Sequence, residues 1–271
     1  GALNVLYTYQ LQSRKLTSFD TRRNGLPNNT IYSIIRTKDN QIYVGTYNGL
    51  CRYIPSNGKF EGIPLPVHSS QSNLFVNSLL EDTTRQCVWI GTEESLYMCA
   101  DGEMRVMADS AGAYSLGLIQ ALCVYEDSSH AIWVGTSSGL YRYKEGTSLS
   151  WERYSMSDGL PDDCISGILE DKKGRLWLTT SRGLSCFDLH KKNFCNYIKQ
   201  DGLPNNQFMQ SAVCSSKDGT FFLGTLNGVV FFNPEHFSGT PFTPNAVITG
   251  LSIQNLPIRQ AKDGDVDFYQ A

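Results

Sequence analysis

Apolar residues in this chain fall in short alternating runs, each cut off by Gly, Pro, Asn or Asp, with no long stretch of helical spacing. Asp158–Phe187 shows the pattern best. Asp158-Gly159-Leu160-Pro161 opens it with a turn signal, and an alternating run leads to Glu170-Asp171. A tight turn follows at Lys172-Lys173-Gly174, then the apolar run Leu176-Trp177-Leu178, a polar turn to Gly183, and Leu184–Phe187. Short β-prone runs bounded by Gly, Pro and Asp are strand signals, so the stretch predicts three strands joined by tight turns.

The unit repeats. Gly25-Leu26-Pro27 precedes Ile42-Tyr43-Val44-Gly45-Thr46, and Gly202-Leu203-Pro204 precedes Phe221-Phe222-Leu223-Gly224-Thr225. Two copies lack the Gly-Leu-Pro opening but keep Val88-Trp89-Ile90-Gly91-Thr92 and Ile132-Trp133-Val134-Gly135-Thr136. The position held by Gly45, Gly91, Gly135, Thr179 and Gly224 advances by 46, 44, 44 and 45 residues. A period of that length carrying only strands marks a β-propeller, one four-stranded blade per period. The fold class is therefore all-β, with five visible blade repeats of about 45 residues, near 24–65, 74–110, 116–155, 158–199 and 201–232. Leu3–Tyr9 and Lys15–Phe19 read as the outer strands of a partial first blade. Lys15–Phe19 could supply the missing fourth strand of the fifth blade and close a ring of five; the alternative is one segment of a larger ring. The propeller region covers 1–237. In 238–271, Ser238–Pro244 reads as a linker and Ala246–Ile253 as a strand of a partial C-terminal β segment.

Composition narrows the function more than the fold. With 23 Lys and Arg against 26 Asp and Glu, net charge −3, the chain lacks the clustered basic surface of a nucleic-acid binder. No run approaches the roughly 20 apolar residues of a membrane helix, so the chain itself is expected to make no membrane contact. Eight cysteines include no C-x-x-C, and no His stands at zinc-motif spacing, so no metal or other cofactor is expected. Most cysteines fall in strands and read as small buried hydrophobes.

The combination of Gly-Leu-Pro at Gly25–Pro27, Gly159–Pro161 and Gly202–Pro204 with Trp89–Thr92, Trp133–Thr136 and Trp177 resembles the two-component regulator propeller repeat. That family builds the extracytoplasmic sensor of bacterial hybrid two-component histidine kinases. The resemblance implies a periplasmic location and a homodimer in the full-length protein. It also implies a seven-bladed ring, an oligosaccharide from polysaccharide breakdown as ligand, and no catalysis by this chain. Pro244–Asn255 looks like the start of the tyrosine-repeat β-sandwich that follows the propeller in that family. Two other roles stand beside this one: a glycan-cleaving propeller enzyme of sialidase type, and an interaction or dimerisation scaffold with no small ligand.

Asp171-Lys172-Lys173-Gly174-Arg175 is similar to the Asp-box hairpin of sialidase propellers, in which the Asp side chain binds turn amides. Glu81-Asp82, Glu126-Asp127 and Glu170-Asp171 look like paired carboxylates for acid–base chemistry. They recur at one repeat position, which identifies them as architecture. The shared Gly and Pro suit turns, and the Trp position suits packing between blades. Binding is expected where blades differ, on the face shared by d–a and b–c loops. The d–a loops carry Asn28-Asn29, Asp162-Asp163 and Asn205-Asn206. The b–c loops supply the candidate ligand residues Tyr47, Asn48, Glu93, Glu94, Arg182 and Asn227.

Overall fold

A computed structural model describes residues 5–66, 74–107, 120–144 and 150–236, and the backbone of three short strands beyond them. Strands β1 (Leu6–Gln10) and β2 (Lys15–Phe19) form a hairpin, followed by helix α1 (Thr21–Asn24). Four four-stranded antiparallel sheets come next. The first holds β3 (Ile31–Arg36), β4 (Ile42–Thr46), β5 (Gly49–Ile54) and β6 (Lys59–Ile63). The second holds β7 (Val76–Asp82), β8 (Cys87–Thr92), β9 (Leu96–Ala100) and β10 (Glu103–Val106). The third is β11 (Ala121–Glu126), β12 (Ile132–Thr136), β13 (Gly139–Lys144) and β14 (Ser150–Tyr154); the fourth is β15 (Ile165–Glu170), β16 (Leu176–Thr180), β17 (Gly183–Asp188) and β18 (Asn193–Tyr197). The fifth has three strands, β19 (Phe208–Ser215), β20 (Phe221–Thr225) and β21 (Gly228–Phe232). These are the five blades of an all-β propeller. The compact unit ends at His236. In the second unit, β22 (Leu251–Ile253), β23 (Leu256–Gln260) and β24 (Val266–Phe268) form a separate three-stranded sheet. The expected strand over 246–253 thus meets β22 at its end, while the expected linker and residues 246–250 lie outside the described residues.

Local chemistry explains the repeat. Gly25, Gly159 and Gly202 have φ of 78°, 111° and 104°, the left-handed region that ends a helical turn and favours glycine. Each inner strand carries a register shift one residue in from its start or a little further, as between Ile31 and Ser33 or Ile165 and Gly167. The glycine of the Gly-Thr pair has a different reason. A Cβ on Gly135 would sit 2.9 Å from the Ile165 carbonyl oxygen and 2.8 Å from its Cγ2, both on the next blade. The fourth blade has Thr179 there and compensates with Gly167 as its cross-strand partner. Gly135→Ala is expected to destabilise the propeller by about 1–3 kcal/mol through overpacking, read in thermal unfolding.

The core lies in the seams between successive blades. Trp89, Trp133 and Trp177 occupy equivalent strands and face the following blade, with exposures of 2% or less. Each indole donates to a buried carboxylate of its own blade: Trp89 to Asp82 (3.1 Å), Trp133 to Asp127 (2.7 Å), Trp177 to Asp171 (2.9 Å). The same carboxylates accept turn amides from Arg85, Ser129 and Ala131, and Lys173 and Arg175. The first and fifth blades put Tyr43 and Phe222, which lack an indole N–H, at the Trp position, and Thr37 and Ser216 at the Asp position. A buried carboxylate is kept only where an indole is there to bind it.

Lys15–Phe19 does not complete the fifth blade. It pairs with β1, and Leu6 and Phe19 of this hairpin pack on Val44, Cys51 and Phe60 of the first blade. Among the described residues nothing covers the fifth blade's far face: Val229 is 62% exposed, whereas its counterparts Leu50, Leu96, Leu140 and Leu184 are each at 2% or below.

Candidate functional site

The structure brings the b–c and d–a loops to one face, as expected. The Tyr47 amide donates to the Thr30 carbonyl of the preceding d–a loop, and the Gly139 amide reaches the Asp163 carbonyl of the following one. Their side chains divide into two groups with different jobs.

The d–a pairs belong to the frame. Asn28, Asp162 and Asn205 accept the amide two residues on, from Thr30, Cys164 and Gln207 (2.8, 2.9 and 3.1 Å). Asn29, Asp163 and Asn206 reach back and accept from Thr21, Met156 and Lys199 (2.9, 2.7 and 2.6 Å), satisfying the first amide of the preceding helical turn. The repeat Gly-Leu-Pro-[Asn/Asp]-[Asn/Asp] is therefore a self-binding loop, and the expectation that these side chains offer themselves to a ligand is corrected.

The b–c loops differ from blade to blade. Tyr47 is partly exposed, its ring 4.1 Å from that of Phe75, which also lies 6.2 Å from Tyr32. Glu93 adjoins Phe75, its amide donating to the Phe75 carbonyl and its carboxylate accepting from Gln120 at 2.6 Å. The half-buried Glu94 keeps Oε2 out of solvent without a hydrogen-bond partner. Asn48 is exposed next to Tyr47. So Tyr47, Asn48, Glu93 and Glu94 form one patch across the first two blades. Arg182 and Asn227 stand on the fourth and fifth blades and make no contact with that patch among the described residues. The exposed Arg182 places Nε 3.6 Å from Asp162. Phe75, Tyr32 and Gln120 were not singled out by sequence reasoning, because they stand at or just before the inner strands and not in the paired-residue loops.

A second concavity lies on the opposite face, where a–b and c–d turns meet. It measures about 550 Å³ and lies between the first and second blades, lined by Lys38, Tyr43, Arg52, Cys87 and Cys99 among others. The paired carboxylates are consumed nearby: Glu81 accepts the Lys38 amide (2.8 Å), and Glu170 accepts the amide and hydroxyl of Ser128 (2.7 and 2.6 Å). Glu81 and Glu170 thus each tie their blade to a turn of the one before, while Glu126 bonds His130 of its own blade at 2.6 Å. Burial pushes the thiols of Cys51, Cys87, Cys123 and Cys186 up to about 12, so they stay protonated.

Residues 25–48 and 159–182, the turn, inner strands and b–c loop of the first and fourth blades, match the family model of the two component regulator propeller. These are two-component regulator propeller repeats. The chain is 28% identical over 270 residues to histidine kinase P4 of Formosa agariphila, covering 94% of this chain and 19% of the kinase. It is 36% identical to the extracellular domain of a hybrid two component system from B. thetaiotaomicron, covering 99% of this chain and 49% of that one, with a TM-score of 0.40. With a catalytically inactive virginiamycin B lyase from Staphylococcus aureus it shares 12% identity and a TM-score of 0.61, over 98% of this chain and 77% of the lyase. At that identity the likeness shows the propeller fold alone. The chain spans about a fifth of the kinase and half of the B. thetaiotaomicron ectodomain. Among the described residues no helix is long and apolar enough to cross a membrane.

Proposed function

We propose that this chain is the ligand-sensing part of a periplasmic ectodomain in a hybrid two-component histidine kinase, that it catalyses nothing itself, and that it takes oligosaccharide fragments on the b–c rim. The similarity to histidine kinase P4 over nearly the whole chain supports the first part. One observation carries the rim: it is the face on which a shared frame presents side chains that change from blade to blade. The Tyr47 ring, packed against Phe75, offers a stacking surface for a pyranose face, and Asn48 and Glu93 of the same patch offer acceptors for its hydroxyls. A sensor must bind its ligand differently in two global states, and a homodimer of the full-length protein supplies them.

Calorimetric titration of the ectodomain with a library of glycan fragments tests this reading. Tyr47→Ala and Arg182→Ala are each expected to weaken binding by about 1 kcal/mol, and Arg182→Ala by more if the ligand is anionic. Tight binding by the parent with unchanged affinity in both variants would rule out the rim. Turnover of any fragment would favour a glycan-cleaving enzyme instead.

A further inference from the structure

In each four-stranded blade, the residue opposite the Trp position on the third strand has a partner on the outermost strand. The pair is Arg52 and Glu61 in the first blade, Met98 and Arg105 in the second, and Arg142 and Glu152 in the third. In the fourth blade it is Cys186 and Cys195. Side chains at this position can meet, since Arg52 Nη2 lies 3.2 Å from Glu61 Oε2. Among the described residues no other two cysteines are partners across a strand pair.

Packing accounts for most of the cysteines but not for this pair. Cys51, Cys87, Cys123 and Cys186 are buried and serve as small hydrophobes. Cys195 is exposed, at a position the other blades give to Glu61, Arg105 and Glu152. Residues directly opposite each other in an antiparallel pair have Cα atoms about 4.5–5.5 Å apart, within the roughly 4.4–6.8 Å that a disulfide spans. Access to the two thiols is unequal. Cys195 meets solvent, its thiol 3.3 Å from the Tyr197 hydroxyl, while Cys186 stands one strand further in at 5% exposure. An accessible thiol beside a sheltered one is the arrangement of an attacking and a resolving cysteine.

We infer that Cys186 and Cys195 are a redox pair that closes into a reversible cross-strand disulfide on meeting a small disulfide oxidant such as oxidised glutathione. The Cys195 thiolate attacks the oxidant, forming a mixed disulfide and releasing one thiol. The Cys186 thiolate then attacks the Cys195 sulfur and releases the second. The two protein thiols give up two electrons and two protons, and oxidised glutathione takes them up as two thiols. Burial holds the Cys186 thiol up near 12, so the second step is the slow one. The bond ties β18 to β17 and closes a loop of ten residues, 186–195. Lying at the surface, it stays open to reduction. No rim residue takes part, so the pair and the proposed function stand or fall separately.

The test is to incubate the folded 271-residue chain with oxidised glutathione, alkylate the remaining thiols and weigh the tryptic peptides. Peptides 183–191 and 193–199 are expected to appear joined and lacking two hydrogens. Glutathione on 193–199 should precede the joined form, and dithiothreitol should separate the two peptides again. Cys186→Ala removes the resolving thiol, so glutathione should stay on Cys195. Cys195→Ser should give neither product, and at the surface it keeps the test open if Cys186→Ala fails to fold. Closing the loop is expected to raise the melting temperature of the parent by roughly 5 °C, and that of neither variant. A folded parent that yields no joined peptides, or yields them only after unfolding, would overturn the inference. So would an equal rise in melting temperature in Cys195→Ser.

Discussion

Trp133→Ala is expected to destabilise the propeller by about 3–5 kcal/mol, read as a lower urea midpoint with little change in slope. The indole is fully buried between the third and fourth blades, about 6 Å from the rings of both Tyr154 and Phe187, and donates to Asp127. Truncation opens a cavity and also strips the buried carboxylate of a partner. Trp133→Phe separates the two losses, keeping most of the ring while removing the donor, and should cost about 1–3 kcal/mol. Asp127→Thr added to Trp133→Phe pairs a hydroxyl with a ring that lacks the indole N–H, as the chain itself does with Thr37 and Tyr43 and with Ser216 and Phe222. The double variant is expected to be more stable than the sum of the single losses predicts, by about 1 kcal/mol or more. Strict additivity would show that indole and carboxylate act independently, contrary to the linked exchange seen across the five blades.

Stability is expected to fall steeply once the pH drops below about 4, the ordinary range of an aspartate. Burial by itself would push the carboxyls of Asp82, Asp127 and Asp171 up. Hydrogen bonds outweigh it and hold all three below their usual value. The Arg85 amide and side chain and the Trp89 indole do this for Asp82; the Ser129 side chain, Trp133 and turn amides do it for Asp127. For Asp171 the donors are Trp177 and the amide and guanidinium of Arg175. A carboxyl depressed in the folded state adds stability that is fully present above its unfolded pKa and is lost as pH falls through the folded one. The acid limb should therefore be set by these three groups together. Urea midpoints measured from pH 7 downwards check this, and Asp127→Asn should flatten the limb while lowering the plateau. A plateau that runs level below pH 3, or a limb unmoved in Asp127→Asn, would contradict the assignment.

How much of this was legible in the residues depends on the distance over which each feature is determined. Gly25, Gly159 and Gly202 signalled their turns because positive φ is a local demand. The strand alternation and the period of about 45 residues gave the blades, since each sheet is built from strands adjacent in sequence. The Asp-box hairpin was readable for the same reason: Asp171 binds amides only two and four residues away. Even the Trp position could be assigned to packing, because three blades share it. Other features were out of reach. The side chains of Asn29, Asp163 and Asn206 looked available and are taken by amides seven or eight residues back, across a loop whose closure no pattern shows. Phe75 became the support of Tyr47 only through the seating of one blade against the next.

By itself the sequence determined the repeat, the strand order within each blade and the residues that hold each turn, because these rest on contacts short along the chain. Only the tertiary structure decided that Lys15–Phe19 pairs with β1 and leaves the fifth blade at three strands. It alone showed that Tyr43 and Cys99 face each other across a seam that Trp and an aromatic ring fill elsewhere. The seam depends on which side chains meet between blades more than 40 residues apart, where a small residue against a small residue leaves a space that neither repeat reveals alone.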